Sequence, residues 1–310
     1  MFYNLAISSI ILSVLNLWIF EKIFTKNKLI DKINARSSHN VNATRSGGIS
    51  IFISILLISV FYYIKGYELY DYSLLLPLSI LLIVGCYDDI YQVDFKLKFI
   101  FQIIVAKIII DNGLIIDNFH GILGLNEINR IIAQLFTIFV IVAIINAVNF
   151  IDGIDGLALS IISLFIISYE FFSNDQTPFQ NLSIIVLCSF IPLLYFNFKK
   201  SNKIFLGDSG SLFLGCLTSI YTLQILSSGY IIQENYDLNK VFFIASILFY
   251  PVVDLIRVFC IRVSKGKSPF VADKLHIHHL LLVKTKSHWK TTSIILVLSI
   301  LIILLFQIIL

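Results

Sequence analysis

The stretch that decides the fold is Ile131-Ile-Ala-Gln-Leu-Phe-Thr-Ile-Phe-Val-Ile-Val-Ala-Ile-Ile145, followed at once by Asn146-Ala-Val-Asn-Phe-Ile-Asp-Gly-Ile-Asp-Gly156. Asn146, Asn149, Asp152 and Asp155 are spaced three residues apart. On a helix, side chains at this spacing would form one polar ridge. Placing an unpaired carboxylate in hydrocarbon costs about 3 kcal/mol. The stretch therefore predicts a membrane helix with a site for a polar ligand at the membrane surface; the alternative is a polar helix end that only faces water.

The composition is that of a membrane protein. Hydrophobic residues make up 58% of the 310 residues and charged residues 14%, and the mean hydropathy is +0.91, whereas soluble domains are about 45–50% apolar. The four cysteines lie in apolar runs, where they are interpreted as small hydrophobic residues and not as disulfides or zinc ligands. We therefore predict an all-α fold, a polytopic integral membrane helix bundle.

Apolar runs near the length that spans a bilayer, about 17–25 residues, predict about ten transmembrane helices in one domain, 1–310. They are 2–20, 47–64, 72–87, 99–116, 131–149, 156–172, 181–198, 210–228, 240–262 and 292–310. The first run lacks a small-residue cleavage site, so it is predicted to be retained.

The distribution of Lys and Arg predicts the orientation. Most of the 23 basic residues fall in four loops: 21–46, 88–98, 199–209 and 262–291. Because basic loops stay on the cytoplasmic side, both termini are predicted to lie outside. The polar motifs described next lie in or beside the same loops, so we expect the chemistry at the cytoplasmic face.

Two acidic motifs are candidate metal sites. Asp88 and Asp89 close the third predicted span, and adjacent carboxylates are commonly held together by solvent, a cation or a positive group of a substrate. Asp208 lies between Gly207 and Gly210 at the start of the eighth span. Mg²⁺ commonly bridges one or two carboxylates to phosphate oxygens. The alternatives are an acidic turn at the membrane face for the first motif and, for the second, a helix cap by Asp208 or Ser209.

The first basic loop is a candidate phosphate site. Arg36, His39 and Arg45 could hold phosphate oxygens. Backbone amides near Gly47 and Gly48, at a helix start, would favour an anion. The alternative is a basic anchor that only fixes the topology.

The last basic loop contains His276-Ile-His278-His279. Three histidines in four residues invite a zinc interpretation, but nearby lysines favour phosphate binding, with His276 and His279 on one helical face. Within the spans, Asp254 and Arg257 are expected to pair, and Lys107 and Asp111 are interpreted as structural residues that either pair or snorkel to the membrane surface.

Together these segments resemble the polyprenyl-phosphate N-acetylhexosamine-1-phosphate transferases, in the branch of the WecA and TagO enzymes. The resemblance covers roughly residues 31 to 280, with motifs in the family order. They are Asp88-Asp89 with Lys96, Asn149-Phe-Ile-Asp-Gly-Ile-Asp-Gly156, Gly207-Asp-Ser-Gly-Ser211, and Ser268-Pro-Phe with Asp273 and His276 to His279. The first loop departs from the family pattern, because Asn42, Ala43, Thr44 and Ser46 replace Pro, Thr, Pro and Gly.

The resemblance implies that a UDP-N-acetylhexosamine, by default UDP-N-acetylglucosamine, gives its sugar phosphate to undecaprenyl phosphate and releases UMP. It implies Mg²⁺, with Mn²⁺ as the alternative, at Asp208 and Asp89. The implied catalytic residues are Asp88, Asp89, Asp152, His276, His278 and His279. The implied substrate-binding residues are Arg45, Lys96, Asn149, Gly153 and Asp155.

The expected partners are the lipid acceptor, the nucleotide sugar and membrane lipids. A homodimer is possible, and no nucleic acid is expected. The expected location is the bacterial cytoplasmic (inner) membrane, with several passes and the active site facing the cytoplasm. Some relatives use N-acetylfucosamine or N-acetylquinovosamine, so the identity of the transferred sugar is left undecided by the sequence. A transporter is the alternative from another class, with Lys107, Asp254 and Arg257 marking a pathway.

Overall fold

The computed structural model describes residues 2–31, 42–119, 127–227, 229–232, 240–268 and 273–309. Twelve helices are found there: α1 Phe2–Lys26, α2 Gly47–Ile64, α3 Leu75–Tyr91, α4 Phe95–Asp111, α5 Arg130–Ile151, α6 Leu157–Phe171, α7 Gln180–Phe198, α8 Gly207–Leu226, α9 Lys240–Ile247, α10 Phe249–Ser264, α11 Ile277–Thr285 and α12 His288–Ile309. A 3-10 turn at Tyr72–Leu74 leads into α3. The predicted all-α membrane class is confirmed.

Seven of the described helices are long and apolar enough to cross a membrane, or eight if one bent pair counts as a single span. The predicted count of about ten is therefore not confirmed. The bent pair replaces the predicted span 240–262: α9 and α10 meet at Leu248 with a bend of 73°. Pro251 lies in the first turn of α10, where its missing N–H removes no intrahelical bond. The predicted span 156–172 corresponds to α6, which is apolar but shorter than the seven helices that could cross a membrane.

The chain divides into two compact units, Met1–Asp94 with Gln176–Leu214, and Phe95–Asp175 with Gly215–Leu310. In the first unit, polar side chains join α1 to its neighbours. Ser13 donates to the carbonyl of Ser189 on α7 at 2.8 Å, and Asn16 donates to Ser54 on α2 at 2.9 Å. Such bonds stabilise contacts between helices in lipid, where hydrophobic burial does not. The expectation of one domain stays a prediction.

A small sheet in the first unit positions the loop before α2. Its strands are β1 Ile30–Asp31, β2 Ala43–Thr44 and β3 Lys203–Ile204, with β2 in the middle. β1 pairs antiparallel with β2, and β2 pairs parallel with β3. The sheet therefore holds the start of α2 beside the start of α8.

Candidate active site

The Asp89 carboxylate caps the N-terminus of α8. Its Oδ1 accepts from the Asp208 amide at 3.0 Å, and its Oδ2 accepts from the Ser209 amide at 2.9 Å. The first amides of a helix lack intrahelical partners and favour an anion. This cap comes from α3, which the alternative of a cap by Asp208 or Ser209 did not include, and the Asp89 side chain is only 2% exposed.

Glycines allow this close approach. A Cβ on Gly85 of α3 would lie 2.3 Å from the Asp208 carbonyl oxygen, and one on Gly48 would lie 2.1 Å from the Gly210 nitrogen. The Gly48 amide itself donates to the carbonyl of Leu206 at 2.9 Å. The expected anion site at the amides of Gly47 and Gly48 is therefore wrong, because both amides bond carbonyls of the chain.

Arg45 lies beside these carboxylates. It pairs with Asp31 at 3.1 Å and contacts Asp89 at 3.5 Å. Burial lowers the pKa of Arg45, but the charges of Asp31, Asp89 and Asp208 outweigh it and leave the pKa above its ordinary value. A polar cavity of about 290 Å³ is lined in part by Lys28, Asp31, Arg45 and Asp89. Arg36 and His39, also predicted to hold phosphate, lie outside the described residues.

Asp88 is nearly buried at the end of α3, with 8% of its surface exposed. Its Oδ1 accepts from the Val93 amide at 2.7 Å, so the turn after α3 orients this carboxylate. Lys96 lies exposed in the first turn of α4. Across the described residues, no three His, Cys, Asp or Glu side chains are grouped to hold a metal ion. Mg²⁺ does not require such a cage, since it commonly takes one or two carboxylates plus water and substrate phosphate.

In the second unit, the predicted polar ridge does not form. α5 ends at Ile151, and Asp152 follows as its C-cap, so Asp152 and Asp155 lie in a turn between α5 and α6. Asn146 remains on α5 and donates to Gln102 of α4 at 2.7 Å. Gly156, with a φ of +71°, supports the turn because a left-handed backbone favours glycine.

The second unit also contains the histidine cluster, which Asp254 anchors. The Asp254 side chain is 1% exposed. Its Oδ2 lies 2.8 Å from His276 Nδ1, its Oδ1 accepts from the Ile277 amide at 3.0 Å, and it pairs with Arg257 at 2.9 Å. The predicted Asp254–Arg257 pair is confirmed, and so is the Lys107–Asp111 pair. Asp254 thereby orients His276 and caps α11.

His278 is completely buried beneath the turn after α5. Its Nδ1 contacts the Tyr250 hydroxyl at 3.1 Å, and its Nε2 is buried without a hydrogen-bond partner among the described residues. A Cβ on Gly153 would lie 2.4 Å from this Nε2 and 3.1 Å from Nε2 of His279. Gly153 therefore lets two imidazoles approach the turn that carries Asp152 and Asp155.

The electrostatics keep these imidazoles neutral. Burial, aided by the neighbouring histidines, lowers the pKa of His278 to about 3. Burial also lowers the pKa of His279 to about 4.

The expectation that His276 and His279 share one helical face is wrong. His276 precedes α11, and its ring stacks on that of His278 with centroids 5.4 Å apart.

An apolar groove of about 600 Å³ runs along α5 and α10, and α4 forms its third wall. Its polar residues gather around Phe150: the His276 ring lies 5.6 Å away, and the Arg262 guanidinium lies 6.0 Å away. Arg262 is held by two bonds to Asp273, at 2.9 and 3.0 Å. The bond with Arg262 holds the pKa of Asp273 below its ordinary value. The lining residues are Phe99, Ile103, Leu135, Ile138, Phe139, Val142, Ala143, Asn146, Phe150, Leu255, Ile256, Val258, Phe259, Arg262 and His276.

His288, at the start of α12, contacts a candidate site residue, and sequence reasoning missed it. Its Nδ1 lies 3.0 Å from Asp155 Oδ2 and 3.1 Å from the Asp155 amide nitrogen. Thr292, one turn later, donates to the Asp155 carbonyl at 2.9 Å. The contact joins residues 133 positions apart in the chain, and no local pattern marks it.

Comparison with known proteins decides the family. The model for glycosyl transferase family 4 matches residues 71–226. A relative from Haemophilus influenzae, named undecaprenyl-phosphate alpha-N-acetylglucosaminyl 1-phosphate transferase, is 35% identical over 265 residues, which cover 82% of this chain and 71% of the relative. This chain belongs to glycosyl transferase family 4. A Pasteurella multocida protein of the same name is 35% identical, covering 86% and 75%. A Bacillus subtilis protein, named as a probable undecaprenyl-phosphate N-acetylglucosaminyl 1-phosphate transferase, is 32% identical, covering 87% and 74%.

As a member of family 4, the protein is a membrane transferase, and the predicted resemblance is confirmed. The family match includes the acidic motifs of both units but ends before the histidine cluster. In the first unit, the structure brings together Arg45, Asp89 and the start of α8. In the second unit, it brings Gly153 together with His278 and His279. The catalytic, binding and metal roles of these residues stay predictions.

Proposed function

We propose that this family 4 protein transfers N-acetylglucosamine 1-phosphate from UDP-N-acetylglucosamine to undecaprenyl phosphate and releases UMP. The names of the relatives support the acceptor and the sugar. Paired carboxylates and basic residues support a donor with a charged pyrophosphate. We place the site at the cytoplasmic face of the bacterial inner membrane, because the basic loops carry these motifs.

The observation that carries the proposal is the apolar groove of the second unit. From Leu135 to Phe150 it follows α5 for about 22 Å, at 1.5 Å per residue. Its walls are aliphatic and aromatic, which suits an isoprenoid chain, and its polar residues gather around Phe150. Arg262 and His276 there supply donors for a phosphate. A lipid phosphate thus fits the groove with its chain along α5 and its headgroup beside Phe150.

The chemistry follows from charge. An oxygen of the lipid phosphate attacks the β-phosphorus of the nucleotide sugar, and the bond from that phosphorus to the bridging oxygen breaks, so that UMP leaves. Phosphoryl transfer depends mainly on positioning and charge neutralisation. When bound, Mg²⁺ neutralises charge on the pyrophosphate oxygens, and we assign its binding to Asp208, with Asp89 beside it.

We assign the remaining roles as the family resemblance implies them. Asp88, oriented by the turn after α3, engages or deprotonates the acceptor phosphate. Asn149 and Asp152 orient the pyrophosphate, and Asp155 with Gly153 contacts the uracil. The basic and imidazole side chains steady phosphate or sugar oxygens: Arg45, Lys96, His276, His278 and His279.

UMP release by the detergent-purified protein tests this function. The protein receives undecaprenyl phosphate, Mg²⁺ and one of a panel of UDP-N-acetyl sugars, including the N-acetylfucosamine and N-acetylquinovosamine forms. We expect UMP only when the acceptor is present, and fastest with UDP-N-acetylglucosamine. Faster release with another donor would replace the sugar assignment. No UMP with any donor, from folded protein, would overturn the proposed reaction.

A further inference from the structure

Asp155 is held through three of its polar groups by the first two turns of α12. His288 Nδ1 lies within hydrogen-bond distance of both the amide nitrogen and Oδ2 of Asp155. Thr292 binds the carbonyl oxygen. The His288 side chain is 19% exposed and that of Asp155 is 10% exposed, so water competes little for these bonds. α12 thus contacts the turn that carries the proposed nucleotide-binding carboxylate.

The two contacts of Nδ1 require opposite protonation of that nitrogen. An Nδ1 that carries a proton donates to Oδ2, whereas an Nδ1 with a lone pair accepts from the Asp155 amide. In either state one bond to Asp155 persists, so the imidazole holds the residue throughout. Alanine would remove both bonds. Asparagine, which has a donor and an acceptor on one short side chain, could supply both.

We infer that His288 is a positioning residue for donor binding, acting through Asp155. The inference rests on the proposed function, in which Asp155 contacts the uracil of the nucleotide sugar. His288 holds the Asp155 carboxylate in the orientation that receives the base, so binding need not first order the turn. Its loss weakens binding of the nucleotide sugar and leaves binding of the lipid acceptor unchanged.

The test measures KM separately for UDP-N-acetylglucosamine and undecaprenyl phosphate. The variants are His288→Ala, His288→Asn and the neighbouring control Lys290→Ala, whose side chain is exposed. Because alanine removes the hydrogen bonds that orient a charged carboxylate, we expect it to raise the donor KM about tenfold or more. We expect an unchanged acceptor KM, recovery of most donor binding by asparagine, and no change in Lys290→Ala.

Two results would overturn the inference. One is an unchanged donor KM in His288→Ala. The other is a loss in which the alanine and asparagine variants are equally impaired for both substrates and both melt at lower temperature, because that pattern indicates a purely structural role. A wild-type protein that releases no UMP with any donor is a separate result, which would overturn the proposed function and this inference with it.

Discussion

Replacing Asp89 by asparagine is expected to destabilise the contact between α3 and α8 as well as to slow turnover. The carboxylate accepts from two amides of α8, one with each oxygen. Asparagine has one acceptor and one donor group, so one amide would lose its partner and face an N–H group. The buried position, 2% exposed, prevents water from replacing the lost bond.

The expected cost can be estimated from these contacts. Burial and the neighbouring Asp208 raise the pKa of Asp89 to about 7, so the negative charge itself adds little stability. The cost of Asp89→Asn therefore comes from the buried amide that loses its partner, about 1–3 kcal/mol. For a chain of this size, the expected fall in melting temperature is on the order of 3–8 °C.

The assay is thermal unfolding in detergent alongside UMP release, with Asp208→Asn as the matched variant. That variant keeps the Asp208 amide from which Asp89 accepts a hydrogen bond, so its melting temperature should fall less, while its turnover should fall at limiting Mg²⁺. If Asp89→Asn melts like the wild type, the cap does not stabilise α8 and the reasoning is refuted.

Three further predictions concern the histidines and the metal. Gly153→Ala would place a Cβ 2.4 Å from His278 Nε2, so we expect it to cost about 1–3 kcal/mol by overpacking and to abolish UMP release; wild-type activity would show that His278 can move. Because the pKa of His278 is lowered to about 3 in the folded protein from about 6.5 when unfolded, its contribution to stability is present above about pH 6.5 and lost as the pH falls. At pH 5 the loss of folding stability is about 2 kcal/mol, so the melting temperature should fall between pH 7 and pH 5. The fall should be smaller in His278→Gln. Equal falls in the two proteins would contradict the assignment of this pH dependence to His278. Chelation of Mg²⁺ should stop UMP release, and Asp208→Asn should require more Mg²⁺ than the wild type for the same rate; activity independent of Mg²⁺ would exclude the metal site.

The helices could be predicted from the sequence because burial in lipid demands long apolar runs. The predicted 47–64 coincides with α2, and 131–149 falls within α5. The break in the ninth span could not be predicted, since Leu248 interrupts no apolar pattern. The polar ridge through Asp152 and Asp155 is also not formed, because three-residue spacing favours a continuing helix where Asp152 begins a turn.

The candidate site was predicted in its residue types and not in its contacts. Asp89 stood out as a carboxylate, but its partners are amides of α8, which lie 119 and 120 residues away in sequence. Gly48 at a helix start is typical of an anion site, whereas the structure shows that a glycine is needed at this position because α2 packs closely against Gly210. Contacts of this kind depend on how helices pack, and spacing along one helix does not carry that information.

The most direct test of the proposed reaction is the mass of the lipid product together with the released nucleotide. Purified protein receives undecaprenyl phosphate, Mg²⁺ and UDP-N-acetylglucosamine. Transfer of a sugar phosphate predicts a lipid diphosphate carrying one N-acetylglucosamine and an equal amount of UMP. A lipid monophosphate carrying the sugar, with UDP released, would contradict the account, because the bond broken would then be that between the sugar and the pyrophosphate.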